Sequence, residues 1–306
     1  MEQKKIILIA GPTASGKSKL AVKLAQYFNG DIINADSMQI YKEISILTSK
    51  PKPEDTKIIK HHLYGVNSVK KNFSTGHWLK LAIKKIKEQW NNKKTPIIVG
   101  GTGLYFKALT EGLVEIPTIS IRKRNQIRKL HKKIGQKNFF IKLVKLDPLS
   151  KKFISPHDQQ RSMRAYEVKK FTNKSLFEFR KETKSNFKNS VFKKIFINIP
   201  KELLNKKIEE RVEQMFKEDV VNEVKKFLKI KVKKDLSASK IIGVKEIEDY
   251  LNGKTTLTKA NLLIKQKNRQ YAKRQFTWAR GHMKSWDMIY SSDLDDLFRK
   301  AISKIS

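Results

Sequence analysis

Cysteine is absent from this 306-residue chain. That excludes disulfides, a thiolate nucleophile and any zinc site with cysteine ligands. Acidic residues are scarce: 29 Asp+Glu stand against 67 Lys+Arg, a formal net charge of +38. A surface so short of negative charge attracts polyanions, most simply nucleic acid. Lysine outnumbers arginine, so a general lysine bias feeds the same excess. No apolar run reaches the ~20 residues of a membrane span. The opening Met-Glu-Gln-Lys-Lys runs into a strand-like stretch without a signal-peptide pattern, so a soluble cytoplasmic protein is expected. No internal repeat is visible. Glycine is sparse too, 13 residues, and five of them fall in two short stretches that carry the chemistry.

The first stretch is GPTASGKS: Gly11, Pro12, Thr13, Ala14, Ser15, Gly16, Lys17 and Ser18. It fits the phosphate-loop template G-x-x-x-x-G-K-[ST]. The apolar run IILIA at 6–10 reads as a buried strand before it. Leu20, Ala21, Leu24, Ala25 and Phe28 recur at helical spacing after it. In such a loop successive backbone N–H groups point at phosphate oxygens, and the helix N-terminus adds partial positive charge. Lys17 would reach the phosphates, and the Ser18 hydroxyl would hold Mg²⁺. The loop by itself specifies a di- or triphosphate and leaves the reaction open.

A second strand at 31–35 ends at Asp36-Ser37-Met38-Gln39. A carboxylate just past the carboxyl end of a parallel strand lies on the ligand side of the sheet, although Asp36 equally suits a helix cap or a turn. The segment TSKPKPED at 48–55 reads as a proline-bearing loop. His61 and His62 lack companions at metal-ligand spacing, which leaves a structural or RNA-contacting role. Ser74 is placed to cap a helix whose apolar stripe is Trp78, Leu81, Ala82, Ile86 and Trp90. The run PIIV at 96–99 is another buried strand. It ends in the second glycine stretch, Gly100-Gly101-Thr102-Gly103, where Thr102 has the one side chain able to hydrogen-bond.

From about 117 to 189 the strand–helix alternation stops, and basic helical patterns carry Arg122, Lys123, Arg124, Arg128, Gln160, Arg161, Arg164, Lys169 and Lys170, with Tyr166 and Phe171 interleaved. Arg161 and Arg164, three apart, share a helix face that suits a phosphate backbone, or simply a solvated basic face. A strand at 191–199 resumes the sheet, and a long helix from about 201 carries Arg211. A further helix at about 258–280 carries Lys273, Arg274, Gln275, Trp278 and Arg280. A strand at 286–290 and an amphipathic helix close the chain. The expected class is α/β, a phosphate-loop parallel sheet flanked by helices with an inserted all-helical domain. Residues 1–116 and 190–306 would form the core with its C-terminal basic helices, and residues 117–189 the insertion.

Taken in order, GPTASGKS at 11–18, NADSMQIYK at 34–42, GGTGLYFKAL at 100–109, SPHDQQRSMRAYEV at 155–168 and KRQFTWAR at 273–280 resemble the tRNA dimethylallyltransferase family. The resemblance spans nearly the whole chain. It implies transfer of a five-carbon allyl group from dimethylallyl diphosphate to the exocyclic N6 amine of the adenosine 3′ of the anticodon, with diphosphate as leaving group. It further implies Mg²⁺ on Ser18, a diphosphate site at residues 11–18 with Lys17 and Arg211, and Asp36 as base, with Thr102 close to the reacting base. The implied tRNA contacts are Asp36, Ser37, Met38, Gln39, Thr102, Arg124, Gln160, Arg161, Arg164, Lys273, Arg274, Gln275, Trp278 and Arg280, with the 117–189 insertion binding the anticodon stem-loop. Two positions depart from the family pattern: Ser18 replaces a frequent Thr and keeps the hydroxyl, and Val244 stands where relatives usually carry Tyr. The missing cysteines match the bacterial type, which lacks a zinc finger, and a monomer is expected.

Two other classes share the loop. A phosphate-loop kinase would place an acidic residue at the end of the strand that here runs into Gly100-Gly101. A guanine-nucleotide switch would need Asn-Lys-x-Asp and a strand ending in Asp-x-x-Gly, and neither occurs.

Overall fold

The computed structural model describes residues 4–305. They form two units. One is built from residues up to Thr110 together with residues from Asn186 onward, and the other runs from Glu111 to Ser185, against the 117–189 suggested by the sequence pattern. The chain begins β1 (Ile6–Ala10), α1 (Lys17–Tyr27), β2 (Gly30–Asn34), α2 (Pro53–Ile58), β3 (His61–His62), α3 (Thr75–Asn91), β4 (Thr95–Gly100) and α4 (Gly103–Glu111). The second unit carries α5 (Ile121–Leu146), α6 (Ser150–Phe153), α7 (Gln159–Thr172) and α8 (Leu176–Lys181). The first unit then resumes with β5 (Phe192–Ile197), α9 (Lys201–Lys217), α10 (Val220–Lys229), α11 (Val244–Leu251), α12 (Leu257–His282), β6 (Asp287–Ile289) and α13 (Leu294–Ile305).

The six strands lie in the order β3-β2-β4-β1-β5-β6, every neighbour parallel. The central strands read as unbroken apolar runs because helices cover both faces of a parallel sheet, and all five residues of β1 and of β2 are buried. Register decides where the loops emerge. Ala10 lies opposite Gly100 and Phe196, and Asn34 opposite Val99, so β1, β2, β4 and β5 end almost level. The segments after β1, β2 and β4 therefore leave along one edge, the carboxyl edge, where ligands of open α/β sheets bind.

α1 buries Leu20, Ala21, Leu24 and Ala25 against the sheet in a core with Ile7, Ile9, Ile97 and Ile195. The Ser74 hydroxyl accepts the His77 N–H at 3.1 Å and caps α3. Trp78 is fully buried, stacks on Tyr105 at 4.3 Å and donates its indole N–H to the Asn34 carbonyl at 2.7 Å.

Two local expectations change. The segment at 48–55 is not loop throughout, because Pro53 opens α2: its fixed φ and missing N–H suit a first helical turn. His61 and His62 form the short edge strand β3. His62 Nε2 lies 3.1 Å from Asp31 Oδ2, and Asp31 Oδ1 accepts from Lys94 at 2.6 Å, so His62 braces the sheet edge. Among the described residues no cluster of three or more His, Cys, Asp or Glu side chains could hold a metal.

The second unit is all helical, around Ile127, Phe139, Leu143, Ile154, Ala165, Tyr166 and Phe177. α5 breaks at Gly135, whose φ of 73° and ψ of 166° a side chain would oppose. Tyr166 is buried in this core, away from the exposed basic residues, whereas Phe171 is partly buried against it with the Lys123 ammonium 4.9 Å from its ring centre. Buried Asp147 accepts from the hydroxyls of Ser150 at 3.0 Å and Ser175 at 2.9 Å, joining α6 to the start of α8.

Candidate active site

The loop after β1 folds as a cradle. Ala14 and Gly16 take left-handed backbone angles, φ 62° and 86°, and α1 starts at Lys17. Lys17 donates to the Pro12 carbonyl at 3.1 Å. The Thr13 N–H donates to Gln275 Oε1 at 2.8 Å, and the Thr13 hydroxyl accepts from Arg211 at 2.8 Å. Two buried donors beside these bonds have no partner: the Ser15 hydroxyl and Arg211 Nε. Unsatisfied buried donors are costly in a folded protein, and an anion bound beside them would satisfy both. The cations tell the same story. Burial pulls the Lys17 ammonium down to about 8, opposed by the Asp36 carboxylate and reinforced by Arg211. Arg211 is also lowered, again first by burial and with Asp36 opposing. Two crowded, desolvated cations with spare N–H and O–H groups fit a polyanion. Ser18 is exposed on the first turn of α1.

The loop after β2 supplies the opposing charge. The Asp36 N–H donates to Asn34 Oδ1 at 2.8 Å, and Asp36 Oδ1 accepts the Met38 N–H at 2.8 Å. Asn34 also donates to the Asp36 and Leu63 carbonyls at 3.0 and 3.1 Å. One Asp36 oxygen closes an Asx turn, one of the two roles the sequence left open, and its charge acts on Lys17 and Arg211. Three phenols surround that charge. Tyr64, Tyr105 and Tyr271 are all held well above the ordinary tyrosine range, first by burial and then by Asp36. None was singled out from sequence. Tyr105 and Tyr271 at least adjoin recognisable stretches, whereas nothing in the sequence marks Tyr64.

The loop after β4 closes the wall. Thr102 accepts the Ser37 N–H at 2.9 Å, donates to the Ser37 hydroxyl at 3.2 Å and hydrogen-bonds Tyr271. Its own N–H reaches the Ala35 carbonyl at 3.1 Å. Gly103 is required by close approach, since a Cβ there would sit 2.0 Å from the Trp278 indole nitrogen. A small pocket opens here, lined in part by Gly11, Gly101, Phe106, Phe196 and Trp278. The indole N–H of Trp278 is buried without a partner.

The remaining sequence candidates fall in different settings. Gln275 points inward: its amide accepts from Thr13 and donates to the Gly101 carbonyl at 3.0 Å, tying the cradle to the β4 turn beside the pocket it helps to line. Gln39 is half-buried with its amide nitrogen on two backbone carbonyls. Met38 packs against the core beneath. Val244 is buried in that same core rather than presented outward. Lys273, Arg274 and Arg280 are exposed on α12, with the Arg274 guanidinium 5.7 Å from the Tyr271 ring centre. In the second unit Gln160 is exposed, and Arg161, 67% exposed, is only loosely paired with Asp158 at 3.4 Å. Arg164 differs from Arg161. It pairs with buried Glu167 at 3.3 Å and so has a structural duty. Arg124 is half-buried with Nε unpartnered.

The family model described as IPP transferase matches residues 39–282. A protein of Pelagibacter ubique named tRNA dimethylallyltransferase is 52% identical over 98% of this chain and 96% of its own length. One of the same name from Rickettsia massiliae is 47% identical over 90% of this chain and 77% of its own. Among solved structures, a full-length tRNA isopentenylpyrophosphate transferase from Bacillus halodurans superposes with a TM-score of 0.70 at 30% identity, covering 99% of this chain and 98% of that one. A eukaryotic dimethylallyltransferase acting on tRNA superposes with a TM-score of 0.83 at 27% identity, covering 99% and 78%.

Proposed function

We propose a reaction from one premise, that the chain belongs to the IPP transferase family: it transfers the dimethylallyl group from dimethylallyl diphosphate to the N6 amine of the adenosine 3′ of the tRNA anticodon. The observation that carries the mechanism is one carboxyl edge that holds Lys17 and Arg211 at the phosphate loop and Asp36 in the turn after β2.

The bond that forms joins N6 to the allylic carbon, and the bond that breaks is that carbon's bond to the diphosphate oxygen. The electron pair leaves with diphosphate. The loop N–H groups, Lys17, Arg211 and the free Ser15 hydroxyl are fixed donors aimed where that charge grows. An adenine amine is a weak nucleophile because its lone pair is delocalised into the ring. Asp36 orients it and takes the N6 proton as the bond forms. The Asx turn holds the carboxylate for that task, and Thr102, tied to Ser37 and Tyr271, holds the neighbouring hydroxyl.

Mg²⁺ fits the donor set. The exposed Ser18 hydroxyl on the first turn of α1 would hold the ion together with diphosphate oxygens and the several waters this cation keeps. When bound it supplies further neutralisation of the departing diphosphate.

The target base must leave the anticodon-loop stack, which costs a few kcal/mol. Exposed Lys273, Arg274 and Arg280, and in the helical unit Gln160 and Arg161, supply backbone contacts that offset this. A cytoplasmic monomer completes the reading. No helix among the described residues is long and apolar enough to cross a membrane. Mass spectrometry of tRNA nucleosides after incubation with dimethylallyl diphosphate tests the function. N6-isopentenyladenosine is expected, and its absence would remove the assignment.

A further inference from the structure

The inner face of α12 meets both glycine-rich turns. Tyr271, Gln275 and Trp278 follow one another at spacings of four and three, so they share one stripe of the helix. Tyr271 hydrogen-bonds Thr102, and Trp278 packs on Gly103. Gln275, between them, is 8% exposed and reaches both turns at once. Its Oε1 accepts the Thr13 N–H at 2.8 Å, and its Nε2 donates to the Gly101 carbonyl at 3.0 Å. One partner can only donate and the other can only accept, so an amide in this single orientation satisfies both.

Thr13 is also gripped from a second helix, because Arg211 on α9 donates to its hydroxyl at 2.8 Å. The two helices are joined to each other. Arg269 pairs with Glu209 at 3.0 Å, Lys265 pairs with Glu213, and Ile208 and Ala272 share an apolar cluster on which Ala14 packs. The loop inside this frame needs holding. Ala14, next after Thr13, has a φ of 62°, a left-handed angle that an L side chain opposes. The turn bond across it, from the Ser15 N–H to the Pro12 carbonyl, is long at 3.3 Å.

We propose that Gln275 is a positioning residue for the diphosphate: from α12 it clamps the two turns together at Thr13 and Gly101 and keeps the strained phosphate loop in its binding shape before the ligand arrives. A loop that is competent only part of the time binds more weakly by that fraction. The inference rests on the transferase reading, in which this loop holds diphosphate, and adds what holds the loop.

The test uses the full chain with Mg²⁺ and without RNA, and reads the binding of inorganic diphosphate by calorimetry. Gln275→Met keeps the bulk and removes both bonds, so the diphosphate Kd should rise about tenfold, the worth of one buried hydrogen bond. In turnover KM for dimethylallyl diphosphate should rise by the same factor with kcat unchanged, because the ligand-filled loop is the same. A residue that only stabilised the fold would lower the melting temperature and move neither constant. Gly101→Ala reaches the clamp from its other end: a Cβ there would lie 2.1 Å from Gln275 Nε2, so the amide is displaced. It should raise the Kd in the same direction. Combined with Gln275→Met it should add nothing further, because both act through one amide. An unchanged diphosphate Kd in either folded single variant, additive losses in the double variant, or a loss confined to RNA affinity would overturn the proposal. Should Gln275→Met not fold, Gly101→Ala decides alone. Wild type that binds no diphosphate would remove the transferase reading and this inference with it, whereas wild type that binds it no more tightly than Gln275→Met removes this inference alone.

Discussion

Raising the pH from 7 to 9 should turn the diphosphate cradle off through Lys17. In the ligand-free protein burial holds this lysine near 8 rather than at its usual 10.5. It is then about nine-tenths charged at pH 7 and about one-tenth charged at pH 9. A diphosphate beside the ammonium favours the charged form and raises the pKa again. Binding should therefore take up about 0.1 proton at pH 7 and about 0.9 at pH 9, and the apparent Kd should climb about tenfold per unit above 8. The last ionisation of a phosphate ester lies near ~6, below this window, so the ligand itself contributes little. Calorimetric titration of dimethylallyl diphosphate in buffer pairs of different ionisation enthalpy reads both quantities directly. Lys17→Met should bind weakly and without the pH slope. A proton count and Kd that stay flat from pH 7 to 9 in the wild type would refute the reasoning.

Asp36→Ala should cost about a hundredfold or more in transfer while filter-binding of tRNA persists, in line with the loss of a positioned base; retained turnover would remove Asp36 from that role. Gly103→Ala forces a methyl onto the Trp278 indole, so thermal melting should show a loss of about 1–3 kcal/mol. A wild-type melting curve would mean that α12 gives way easily. Arg161→Ala should lower tRNA affinity and reduce the salt slope by about one, leaving the melting temperature alone. Arg164→Ala should differ, because it strands buried Glu167 and should cost about 1–3 kcal/mol of stability at any salt concentration.

Much of this molecule is legible along the chain because its signals are local. A strand, a phosphate loop and a helix follow one another within residues 6–27, and the spacing of Gly11, Gly16 and Lys17 needs no partner from elsewhere. The uninterrupted apolar runs at β1, β2 and β4 disclose strands buried on both faces, and so a parallel sheet covered by helices. Charge excess and the absence of cysteine likewise follow from counting. What the chain order hides is which side chains are spent and which are free. Gln275 and Arg164 look like outward RNA-binding residues on basic helices, yet one is consumed by Thr13 and Gly101 and the other by Glu167. Tyr64 and Tyr271 lie far apart in sequence, yet the Asp36 charge acts on both, because the loop after β2, the segment after β3 and α12 meet at one edge of the sheet. The Glu223 carboxylate on α10 accepts the N–H groups of Ser45, Ile46 and Leu47, 176 or more positions earlier, and no periodicity foretells it. Local pattern sets the elements. Hydrogen-bond satisfaction and desolvation, which exist only once distant segments meet, set the state of each functional group.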